Sequence, residues 1–146
     1  MLHALMLAAA LHPAAAVQKR ESRAATKLYA ALNLERREHG LPALPLDPAL
    51  QAAALDHVVD MARLDYFDHD SPAGVTPWDR MRSHDCTFSY AGENIALAGS
   101  GIQAASALFE SPPHRANILS PHFTRVGIAV MLSDDGRLLF VEDFAG

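Results

Sequence analysis

The sequence predicts a single α+β domain in which helices come first and an antiparallel hairpin closes the chain. Three observations predict it. Apolar residues recur at helical spacing over residues 21–39 and 48–64. Two runs rich in Val, Ile, Leu and Phe, residues 126–132 and 138–144, flank the turn Ser133-Asp134-Asp135-Gly136. With 146 residues, half of them apolar and a fifth charged, the chain can bury one core but not two. Helices followed by a hairpin argue for α+β and against alternating βαβ units.

At the N-terminus, residues 2–11 form a short apolar run, and Ala14-Ala15-Ala16 fits a small-residue cleavage site. The run is too short to span a bilayer. It reads as a signal peptide over residues 1–16, leaving a domain at 17–146 that is secreted or periplasmic. It carries no Lys or Arg ahead of the apolar run, so an N-terminal helix is the alternative. Residues 21–39 read as an amphipathic helix stopped by Gly40. Pro42 and Pro45 make residues 41–46 an extended connector. Asp47 caps a second helix with Pro48 at its first position. Along it Leu50, Ala54, His57, Met61 and Leu64 form the stripe expected to face the core. His57 therefore reads as a core histidine. Thr76 caps a short helix over residues 77–83. Residues 92–98 read as a short strand or a single turn. Residues 102–110 resume as a helix that Pro112 and Pro113 end. Tyr66, Phe67 and Trp78 read as core aromatics, and His84 and His122 as surface residues.

The net charge is −5 with His neutral. The Lys and Arg residues between Lys19 and Arg63 form no continuous run, so nucleic acid is not an expected partner. The lone cysteine, Cys86, cannot form an internal disulfide and reads as a small buried hydrophobe. No further apolar run is long enough for an integral membrane segment.

Three segments carry the polar chemistry: Asp68-His69-Asp70-Ser71-Pro72, Gly92-Glu93-Asn94-Ile95-Ala96, and Ser111-Pro112-Pro113-His114-Arg115-Ala116-Asn117. Two imidazoles and a carboxylate make a recognised zinc ligand set. The spacing of His69, Glu93 and His114 is far from local, so the fold would have to gather them. Asn94 reads as a loop-bridging amide, and Arg115 as a clamp onto an acidic loop or a helix C-terminus.

These segments occur in a fixed order with others: His57 with Asp60-Met61-Ala62, Tyr66-Phe67, Phe123 with Val126-Gly127, and Asp143-Phe144. The ordered set resembles the bacterial branch of the CAP superfamily, which includes cysteine-rich secretory, antigen-five and pathogenesis-related proteins. The resemblance runs from about Leu28 to Phe144. It implies a three-layer α-β-α sandwich with a central antiparallel sheet and an open cleft. By resemblance His69 and His114 match the two cleft histidines, and Glu93 the first cleft Glu, in a cleft that binds a divalent metal such as zinc in some relatives. The second cleft Glu has no direct counterpart. Ser111 falls at its position, and Glu110, one residue away, is the substitute candidate.

Three functions fit. The first is a binding module for a divalent metal together with a small hydrophobic ligand, a peptide or an envelope glycan. The second is a zinc-dependent hydrolase, with Glu93 and His114 as candidate catalytic groups. The third is a structural envelope protein with a vestigial cleft.

Overall fold

Helix α1 runs from Pro13 to Glu38 in a computed structural model that describes residues 13–146. Residues 1–12 of the expected leader lie outside the described residues, and the expected boundary after Ala16 falls inside α1. Leu28, Leu32 and Arg36 lie on its buried face. The proline-rich connector then runs extended. Its Leu44 is held by a two-way amide clamp: Leu44 N–H donates to Asn33 Oδ1 at 2.8 Å, and Asn33 Nδ2 donates to Leu44 O at 3.1 Å. Helix α2, Pro48–Leu64, begins where the Asp47 carboxylate accepts from the N–H groups of Ala49 and Leu50. Its buried stripe runs through Leu50, Ala54, His57 and Met61. Leu64, expected to continue it, is exposed because the helix ends there in a left-handed Asp65. Helix α3, Pro77–Ser83, opens with a capping box between Thr76 and Asp79.

Strand β1, Ala91–Ala98, helix α4, Gly101–Glu110, and a further helix α5, Pro112–Ile118, come next. The Pro-Pro pair therefore ends one helix and starts another. Proline lacks only an N–H that the first helical turn leaves unpaired anyway. Strands β2, Arg125–Leu132, and β3, Leu138–Ala145, form the expected hairpin.

The sheet order is β1-β3-β2, antiparallel throughout. Strand β3 lies between the other two and is buried along its whole length. Its side chains alternate. Leu138, Phe140 and Phe144 join Leu28, Leu32, Ala104 and Leu108 in a core under α1, α4 and α5. Leu139 and Val141 join Ala54, Val58 and Met61 under α2. Helices thus cover both faces, giving the three-layer α-β-α sandwich. The α2 layer sits very close to β2: a Cβ on Gly127 would collide with the backbone of Leu50 and Gln51.

Candidate functional site

Antiparallel pairing sets the site's geometry. Glu93 is opposite Asp143, and Asn94 is opposite Glu142. Successive strand residues point to opposite faces. Glu93 and Asp143 therefore face α2 and α3 with Ile95 and Val141, while Asn94 and Glu142 face the α1, α4 and α5 layer.

Glu93 is the hub on the first face. Its side chain is 1% exposed. His69 Nδ1 lies 2.8 Å from Glu93 Oε1, and Arg80 Nη2 donates to Oε2 at 2.8 Å. His57 Nε2 lies 3.7 Å from Oε1. Burial alone would raise the Glu93 pKa, but the His69 hydrogen bond and the charges of His57 and Arg80 outweigh it and hold it low. Glu93 in turn raises the His69 pKa, chiefly through the shared hydrogen bond. His57 is shifted the other way, because its burial opposes charge. It is fully buried on α2, as expected of a core histidine, and its Nδ1 lies 3.4 Å from Tyr66 Oη. The Tyr66 hydroxyl donates to Asp60 at 2.7 Å. Asp143 holds its proton more tightly than an ordinary carboxylate, first through burial and then through the charge of Glu93. Neither of its oxygens has a hydrogen-bond partner among the described residues.

Arg80 is the residue of this cluster that the sequence reading did not single out. It also donates to the carbonyls of His69, at 2.8 Å, and Val75, at 3.1 Å, so it fixes the loop that carries His69. The available signal was position: Pro77, Arg80 and Met81 share the buried side of α3. A buried Arg requires acceptors.

His114 stands on α5, at the edge of β1. Its Nδ1 lies 2.8 Å from Ser111 Oγ, and its carbonyl accepts from Asn94 Nδ2 at 3.2 Å. Burial first, and then the charge of His69, lower its pKa. Asn94 also donates to Glu142 Oε2 at 3.0 Å and accepts from Asn117 Nδ2 at 2.9 Å. It therefore joins β1 to both β3 and α5, from within a strand rather than from the loop position expected of it.

The structure thus brings His69 and Glu93 into contact and ties His114 to the same motif through Asn94. Glu110 is elsewhere. It is exposed on α4 and accepts from Ser106 at 3.0 Å. Among the described residues no three His, Cys, Asp or Glu side chains group so as to hold a metal ion. Other expectations meet mixed outcomes. Cys86 is buried and free. Among the described residues Arg115 clamps no acidic loop or helix end; its guanidinium lies over the Phe109 ring, 4.8 Å from the centroid. Phe67 and Trp78 are exposed rather than core. His122 is exposed and stacks on Tyr90, with ring centroids 4.1 Å apart. No described helix is long and apolar enough to cross a membrane.

Comparison with known proteins agrees with this architecture. The chain is 35% identical over 121 residues to the YkwD protein of Bacillus subtilis, an alignment covering 82% of this chain and 46% of that one. An extracellular protein containing an SCP domain from Bacillus anthracis superposes with a TM-score of 0.81 at 31% identity, over 92% of this chain and 44% of that one. The chain therefore spans less than half the length of either bacterial relative. A structure of NaASP2 with Zn2+ shares the fold at a TM-score of 0.60 and 14% identity, over 86% of this chain and 80% of that one. The model of the cysteine-rich secretory protein family, CAP, matches residues 29–144, a span that takes in all three polar segments. With that match and the sandwich built around Glu93, this chain belongs to the CAP family, as a protein of the bacterial SCP-like kind.

Proposed function

We propose that this is an extracellular binding module whose cleft takes a divalent metal on His69 and His114. The observation that carries this reading is how Glu93 is used. Its two oxygens are already engaged, one by His69 and the other by Arg80. It therefore serves as the partner that orients a ligand rather than as a third ligand. A carboxylate that accepts from one ring nitrogen fixes the tautomer and leaves the other nitrogen as donor to the metal. Here that leaves Nε2 of His69. His114 matches it when its Nδ1–H donates to Ser111 Oγ. The metal would supply Lewis acidity to a bound ligand.

The same observation weighs against the hydrolase reading. A general base works best with a pKa near the working pH. Glu93 is instead held low by Arg80 and the histidines. Export fits a relative described as extracellular.

The test is zinc titration followed by thermal melting of the parent, His69→Ala and His114→Ala. A ligand that binds only the native state must raise its melting temperature. Zinc raises it in the parent, and the rise disappears in both variants and on adding chelator. Equal rises in all three proteins refute a site on these histidines.

A further inference from the structure

We infer that the cavity beside His69 is a carbohydrate subsite in which Trp78 stacks on the ring of an uncharged sugar. This rests on reading the cleft as a binding site and names the class of ligand it takes.

The cavity holds about 300 Å³ and is lined by His69, Asp70, Trp78, Gly92, Glu93 and Asn117, among others. That is the lower end of the range for small-molecule pockets, room for one ring-sized group. Trp78 is the exposed aromatic of a short helix whose Pro77, Arg80 and Met81 are buried. Its indole therefore forms a wall that is not consumed by the core. A large apolar ring with a single N–H gains most from a flat partner that is apolar on its face and polar at its edge. A pyranose has that form, with C–H groups on a face and hydroxyls around the rim.

The rest of the lining fits the rim. The Asp70 carboxylate has no hydrogen-bond or ion-pair partner among the described residues, although its own N–H donates to Asp68. Asn117 spends its amide N–H groups on Glu93 O, at 3.3 Å, and Asn94 Oδ1. Its Oδ1 is left to accept. Gly92 keeps that oxygen open to the cavity, since a Cβ there would sit 3.0 Å from it and 2.9 Å from Phe123. The set is rich in acceptors, as a donor-rich polyol requires. The Asp70 charge disfavours anionic sugars.

A peptide fits less well. Extended peptides bind by adding a strand to a free sheet edge. Strand β1 is an edge, but Asn117 already caps its Glu93 carbonyl.

Trp78 is the only tryptophan of the chain, so its emission reports this cavity alone. The experiment titrates the parent with chitotriose, an uncharged N-acetylated trisaccharide, and in parallel with triglycine. Saturable change in emission is expected with the sugar and none with the peptide. By calorimetry Trp78→Ala loses about tenfold or more in affinity for chitotriose, and Trp78→Phe stays within about threefold of the parent, because a stacking face survives in Phe. Melting curves with and without zinc run alongside. Both variants melt as the parent does and keep its zinc response. No saturable response to chitotriose, a response to triglycine instead, or unchanged sugar affinity in a folded Trp78→Ala protein each overturns the subsite. Sugar binding in a chain with no zinc response supports the subsite and sinks the metal reading alone.

Discussion

Glu93 carries more of the site than its place as one of three candidate ligands implied. A buried carboxylate needs compensation, and here the His69 hydrogen bond, the His57 charge and the Arg80 guanidinium share it. Removing that guanidinium in Arg80→Ala leaves Glu93 buried beside His57 and Asp143 and frees the His69 carbonyl. The expected loss is about 3–5 kcal/mol of folding free energy, read by denaturant unfolding. The effect of Ser111 is smaller and more specific. Ser111→Ala leaves His114 without its Nδ1 partner. Zinc affinity should fall about 10–100-fold with little change in melting temperature, measured by competition titration. His69, Glu93 and His114 could be singled out because their motifs occur in family order, and the structure brings the first two into contact. Arg80 could not be singled out. Its motif is ordinary, and nothing local says that a residue on a seven-residue helix meets a strand carboxylate 13 positions on.

The elements were mostly readable, since their signals are local. Asp47-Pro48 and Thr76-Pro77 start helices by chemistry that does not depend on the rest of the fold. Helix α5 was missed because a Pro-Pro pair carries two meanings: it stops the helix before it and can start another after it. The contacts that fix α5 are distant in sequence. The fully buried Arg36 of α1 donates to Ile118 O at 2.8 Å and Ser120 O at 2.9 Å. That holds the end of the helix carrying His114. Layer spacing was not legible either. Gly127 reads as a strand glycine, and only the packed structure shows that α2 rests against it. Gly127→Ala is expected to cost about 3 kcal/mol or more, because backbone on both sides must move. The check is a chevron or equilibrium unfolding curve.

Across the whole molecule, β3 places two neighbouring carboxyls in opposite layers. Glu142 is fully buried, accepts from Asn94 and has an Oε1 without a partner among the described residues. Burial pushes its pKa up to about 7 from the usual 4.5. Between those values the folded chain binds more protons than the unfolded chain, so this group's contribution is complete below pH 4.5 and is lost as pH rises toward 7. The loss is on the order of 3 kcal/mol at about 1.36 per pH unit. Glu142→Gln keeps an acceptor for Asn94 and removes the titration. It should melt above the parent at about pH 8 and close to it at about pH 4.5.

Among the described strands β3 is made last, and it is the one that both other strands pair with. Before β3 arrives, β1 has no strand partner and β2 has only the single bridge from Val126 to Leu46. The core under α2 likewise waits for Leu139 and Val141. Formation of the sheet thus waits for β3, since the distant pairings come only after the chain between them is made. Until β3 is made, the chain has neither a paired sheet nor a complete core under α2. Truncation before Leu138 should leave a polypeptide with no cooperative melt, and slowing release of the last strand should lengthen the time during which the chain remains open to protease.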